Sequence, residues 1–118
     1  MVKKQRGPED FPPLTPAVFN ILLALADEAK HGYGIMLELE AKAQALVAMG
    51  PGTLYGSIKR MLKAGLIEEG GEGADPKPDD QRRRYYRLTG LGKKTMLAEV
   101  ERLTSQLELA LSKDALSS

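Results

Sequence analysis

The 118 residues are 42% hydrophobic and 28% charged, the balance of one globular domain with a single core rather than of a disordered or membrane chain. Seventeen basic residues against 16 acidic ones leave a net charge of +1, so the average charge selects no partner. With no cysteine and one histidine, His31, disulfide frameworks, thiolate metal sites, cysteine nucleophiles and multi-histidine metal centres are excluded.

Residues 1–13 hold three prolines, a glycine and mixed charges without periodicity, which reads as a flexible arm. Its basic start is followed by Gly7-Pro8-Glu9-Asp10, where a signal peptide needs an apolar segment. The longest apolar run, Ile21 to Ala26, has six residues, against the roughly 20 that cross a bilayer. A cytoplasmic protein without a membrane partner is expected.

Thr15-Pro16 predicts a helix start, because the hydroxyl can cap and proline suits the first helical position. From Ala17 to Glu28, Val18, Phe19, Ile21, Leu22, Leu23 and Leu25 surround nearly the whole predicted helix, the pattern of a buried one. His31-Gly32-Tyr33-Gly34 ends it and begins a second, amphipathic helix along Ile35, Leu39, Ala43 and Leu46. Pro51 opens a third, with Leu54, Ile58, Met61 and Leu62 on one side and Gly65 as its C-terminal stop. Leu66 to Glu69 and Arg82 to Leu88 then read as a two-stranded hairpin with a long tip, Gly70 to Gln81. A last helix is predicted from about Lys93 to Lys113.

This order predicts a mainly α fold with a small β-hairpin: a winged helix-turn-helix followed by a C-terminal dimerisation helix. In that layout the third helix can enter a DNA major groove and the hairpin is the wing. The expected divisions are the arm at 1–13, a DNA-binding domain at 14–90 and the C-terminal helix at 91–118.

On a helical wheel the third helix sets Leu54, Tyr55, Ile58, Met61 and Leu62 against Thr53, Gly56, Arg60 and Lys63, with Ser57 and Lys59 at the margins. A recognition helix needs this greasy back and donor-rich front, although a merely solvated face would look similar. Gly56 in mid-helix costs about 1 kcal/mol relative to alanine, and its place on the open face suggests close approach to another surface. Thr53, Lys59 and Lys63 lie where base edges or groove walls come within reach, and the Tyr55 hydroxyl could reach a phosphate.

Residues 81–94 carry Arg82, Arg83, Arg84, Arg87, Lys93 and Lys94 with no acid among them. Arg82, Arg83, Arg84 and Arg87 repel one another unless a polyanion or nearby carboxylates neutralise them, and guanidinium groups suit phosphates. The alternative is neutralisation by Glu68, Glu69, Asp79 and Asp80 across the hairpin. His31 has no nucleophile or second histidine around it, the glycines at 70, 71 and 73 complete no phosphate loop, and the acids at 75, 79 and 80 lack EF-hand spacing. No enzyme constellation, cofactor motif or metal set is present in the sequence.

The last helix repeats Met96, Val100, Leu103, Leu107 and Ala110 at coiled-coil spacing, with Leu97, Thr104 and Leu111 in a neighbouring row. Met96, Val100, Leu103, Leu107 and Leu111 are therefore the candidate dimer interface; folding back onto their own domain is the other way to cover them.

Four strings occur in order: His31-Gly32-Tyr33-Gly34-Ile35, Gly50-Pro51-Gly52-Thr53-Leu54-Tyr55, Lys59 to Ile67 and Arg83 to Thr89. Together they resemble the PadR family, the phenolic-acid-decarboxylase-repressor type of bacterial regulator. The resemblance implies a winged-helix, DNA-binding homodimer, usually a repressor, of the short form with one C-terminal helix. It makes the segment opening at Pro51 the recognition helix and the Arg83 to Thr89 strand part of the wing. The expected partners are thus a palindromic double-stranded DNA operator and a second copy of the chain, and a small-molecule effector stays open. Some relatives hold aromatic drugs between interface tryptophans, a mode not expected in a chain without tryptophan. The competing reading is a winged-helix protein-interaction module that docks an acidic partner through its arginine strand.

Overall fold

The structure is a computed structural model that describes residues 7, 13–42, 50–70 and 84–113. Helix α1 (Pro16–Ala24) begins where the cap signal predicts: the Thr15 hydroxyl accepts the Val18 amide at 3.2 Å and Pro16 occupies the first turn. It stops four residues short of Glu28. Lys30 is the reason, because its ammonium group donates to the Ala24 carbonyl and to Asp27 Oδ1 at 2.7 Å, folding the chain back. Burial alone would lower the Lys30 pKa, but the carboxylates of Asp27, Glu38 and Glu28 outweigh it and the net direction is up. Leu23 is exposed, so α1 is not enclosed on all sides as its composition suggests.

The turn carries a strand that periodicity does not show, β1 (Lys30–His31), and helix α2 (Gly32–Lys42) follows at once. Ile35 and Leu39 of α2 are buried as expected, while Ala43 and Leu46 lie outside the described residues. Helix α3 (Pro51–Ala64) ends in a Schellman turn. Gly65, at φ 81°, donates to Leu62 O at 3.1 Å and Leu66 donates to Met61 O at 3.0 Å. Strand β2 (Ile67–Glu69) and strand β3 (Tyr85–Leu88) pair antiparallel, with Ile67 opposite Leu88 and Glu68 opposite Arg87. Because β1 pairs with the other edge of β3, His31 opposite Tyr85, the expected two-stranded hairpin is a three-stranded sheet of order β1-β3-β2.

Helix α4 (Gly90–Ser112) starts three residues before Lys93. Thr89 caps it, its hydroxyl accepting the Gly92 amide at 2.9 Å, and the glycines at 90 and 92 are helical despite their weak propensity. One core joins the elements: Ile21, Leu22 and Leu25, Ile35 and Leu39, Leu54, Ile58 and Met61, then Leu66, Ile67, Tyr86 and Met96. The fold is mostly helical with a small antiparallel sheet, and α3 lies across α1 and α2 in helix-turn-helix order. Among the described residues no helix is long and apolar enough to cross a membrane.

Candidate nucleic-acid interface

Helix α3 is held by its apolar back. Leu54, Ile58 and Met61 are buried, and Tyr55 is half-buried. The Tyr55 ring lies over the start of α2, where a Cβ on Gly32 would meet its Cε1 at 2.6 Å and its hydroxyl oxygen at 2.7 Å. Tyr55 thus anchors the first turn of α3, with its hydroxyl at the helix-helix junction.

The front of α3 is open. Thr53, Lys59, Arg60 and Lys63 are exposed, and Gly56 sits among them, its missing Cβ facing Arg60 Nη1 at 3.7 Å. Ser57 differs from the wheel: it is 1% exposed, turned inward beside Ile58, and its hydroxyl takes Arg60 Nη2 at 3.2 Å. Among the described residues none of the three α3 cations pairs with a carboxylate, and the helix contains no acid. A cleft of about 430 Å³ at the end of this face is lined by Arg60, Lys63, Ala64 and Gly65.

The wing strand is arranged differently. Arg87 Nε donates to Glu68 Oε1 at 2.8 Å, and Arg84 Nη1 donates to Glu69 Oε1 at 3.0 Å. Both arginines are half-exposed and partly neutralised: Glu68 stands directly opposite Arg87 in the ladder, while Glu69, opposite Tyr86, reaches diagonally to Arg84 just before β3. Tyr86 turns into the core, and burial, with Glu69 beside it, pushes its hydroxyl pKa up. Arg82, Arg83, Asp79 and Asp80 lie outside the described residues.

His31 has a structural task at the start of α2. Its Nδ1 accepts the Gly34 amide at 2.8 Å, which caps α2 in place of a serine or aspartate. The ring meets Tyr85 edge-on at 5.5 Å and stacks near Tyr33 at 6.4 Å, binding α2 to β3.

Helix α4 divides into two parts. Thr95, Met96 and Glu99 pack inward, and Arg102 holds the Glu99 carboxylate through two hydrogen bonds. Met96, at 8% exposure, therefore belongs to the core of its own chain and is not free for a partner. The seam beyond it is uncovered: Val100 38%, Leu103 39%, Leu107 56% and Leu111 58% exposed, with Leu97 beside them. Among the described residues no group of histidine, aspartate and glutamate could hold a metal ion.

Residues 21–98 match the Transcriptional regulator PadR-like family. Among solved structures, RosR of H. salinarum is 26% identical with a TM-score of 0.63, over 89% of this chain and 96% of that one. A PadR family transcription regulator from Clostridium difficile is 22% identical with a TM-score of 0.67, over 83% and 97%. Bacillus subtilis PadR, solved in complex with operator DNA, is 18% identical with a TM-score of 0.60, over 70% of this chain and 45% of that one. No curated protein matches the chain. The helix-turn-helix with its small sheet is accordingly the winged-helix fold of these regulators, and this chain belongs to the PadR-like family of transcriptional regulators.

Proposed function

We propose that the protein is a sequence-specific DNA-binding repressor that works as a homodimer on a palindromic operator in the cytoplasm. The observation that carries this reading is the acid-free front of α3, with Thr53, Gly56, Lys59, Arg60 and Lys63 open and three cations unpaired among the described residues. Its apolar back fixes the helix, so the front is presented as a rigid surface that a major groove can accept. The operator complex of the similar Bacillus subtilis PadR supports the same assignment.

Within this reading Thr53, Lys59 and Lys63 face base edges or groove walls, Arg60 flanks them, and Tyr55 serves the position of the helix. Arg83, Arg84 and Arg87, with Arg82, serve phosphates. For Arg84 and Arg87 this means exchanging Glu69 and Glu68 for a phosphate, a trade between half-exposed partners that costs little in water. The uncovered stripe Val100, Leu103, Leu107 and Leu111 supplies the self-complementary interface of a two-fold dimer.

Titration of the purified protein against DNA from upstream of its own gene tests the proposal. Binding should weaken with salt along a log-log slope of about −0.9 per neutralised phosphate, and footprinting should show two half-sites. If no DNA is retained at low salt while an acidic protein is, the protein-interaction reading replaces this one.

A further inference from the structure

The end of α3 and the start of α4 meet directly. The Thr89 hydroxyl donates to Gly65 O at 2.6 Å, across 24 residues of sequence, while accepting the Gly92 amide at 2.9 Å. The Thr89 amide donates to Leu66 O at 3.2 Å. Gly92 packs so closely that a Cβ there would lie 1.9 Å from the Leu66 carbonyl oxygen, and Leu91 lies against Gly65. Gly65 and Leu66 are the Schellman turn that closes α3, and Thr89 to Gly92 are the first turn of α4.

We infer that Thr89 is a positioning residue for operator half-site spacing: it locks the angle between α3, which reads DNA, and α4, which carries the dimer stripe. This inference rests on the proposed homodimer on a palindromic operator. α4 has a second anchorage where Thr95, Met96 and Glu99 pack inward, which becomes a pivot if the first turn is released. From Met96 to Leu107 is 11 residues, a lever of about 16 Å at the helical rise. A tilt of about 10° there moves the stripe by roughly 3 Å in each protomer, close to the 3.4 Å step between bases. Small angular freedom at one hydroxyl therefore translates into a loss of spacing discrimination. The salt-screened contacts of each single reading head stay intact.

Thr89→Asp separates the two roles of the hydroxyl, because a carboxylate still accepts the Gly92 amide but cannot donate to Gly65. Thr89→Ser keeps both bonds, and Thr89→Val, which removes both, is the second variant if the aspartate does not fold. The chain has no cysteine, so Lys59→Cys gives one spin label on each α3 of the full-length dimer. Pulsed EPR should give a narrow label-to-label distance distribution in the parent and in Thr89→Ser, and a broadened one in Thr89→Asp. On DNA, moving the half-sites apart by one base pair should weaken the parent by about tenfold or more and Thr89→Asp much less. Affinity for a single half-site should not change. A distribution and spacing preference in Thr89→Asp equal to those of the parent overturn the inference alone. A parent that gives no label-to-label distance, or no preference for paired half-sites, overturns the homodimer reading and the inference with it.

Discussion

The ring of Tyr55 occupies the space where any residue but glycine at position 32 would place its Cβ, 2.6 Å from Cε1. Besides its buried apolar back, helix α3 is seated on the start of α2 by this contact between an aromatic ring and bare backbone. Gly32→Ala must swing the ring aside and should cost about 1–3 kcal/mol. In a Tyr55→Ala background the same change should cost less than half as much, since contacting residues couple. Denaturant unfolding of the four proteins in this cycle measures it, and equal costs in both backgrounds would show that the ring is not the obstacle.

Gly56 should separate stability from binding. Its missing Cβ has ordinary room beside Arg60, so Gly56→Ala should stabilise the fold by about 1 kcal/mol through helix propensity. The same methyl group stands on the proposed DNA-facing surface and should weaken operator binding. Thermal melts and DNA titrations of one variant give both numbers; unchanged affinity would remove Gly56 from the interface.

Two glycines of α4 should respond oppositely. Gly92→Ala drives a Cβ into the Leu66 carbonyl, a clash with backbone that no rotamer relieves, and should cost at least about 3 kcal/mol. Among the described residues nothing lies within 4 Å of the missing Cβ of Gly90, so Gly90→Ala should be neutral or stabilising. Circular dichroism melts of the pair check the contrast.

The hydrogen bond from Arg102 lowers the Glu99 pKa below its ordinary 4.5, against the opposing effect of burial, and the Leu14 amide adds to the lowering. A carboxyl group more acidic in the folded state stabilises above its unfolded pKa, and that contribution is lost as pH falls through the folded value. Stability should therefore decline below about pH 4.5, and Glu99→Gln, which cannot titrate, should show a shallower decline. Unfolding curves between pH 3 and 7 for both proteins decide this; parallel profiles would mean that other carboxylates carry the acid sensitivity.

In the proposed dimer, Leu103→Glu places a charge twice in one apolar seam. Each large side chain buried there contributes about 1.5–3 kcal/mol before entropic costs, so a buried carboxylate in each copy should shift the equilibrium to monomer. The winged-helix core, to which exposed Leu103 does not belong, should keep its melting behaviour, and operator affinity should fall steeply. Sedimentation of the variant as a dimer would place the interface elsewhere, such as on α1 with its exposed Leu23.

Periodicity and punctuation alone determined much of this protein. Thr15-Pro16, Gly50-Pro51 and Gly65 mark helix ends because their effects are local: a hydroxyl within reach of an amide, a fixed φ, a permitted positive φ. The amphipathic split of α3 needs no partner information either, and it gives both the helix and the open cationic face. Tertiary structure decided what depends on groups distant in the chain. Strand β1 has two residues, too few for any period, and exists because β3 offers its free edge to Lys30 and His31. Met96 and Leu103 sit in the same seam by spacing, yet the core takes Met96 and leaves Leu103 outside, since the body of the domain ends near Glu99. Glu68 and Glu69 could be named as counter-ions from composition, but their pairing with Arg87 and Arg84 is a matter of register between β2 and β3. The hydrogen bond from Thr89 to Gly65 spans 24 residues and leaves no trace in local pattern, because it depends on two helix ends meeting in space.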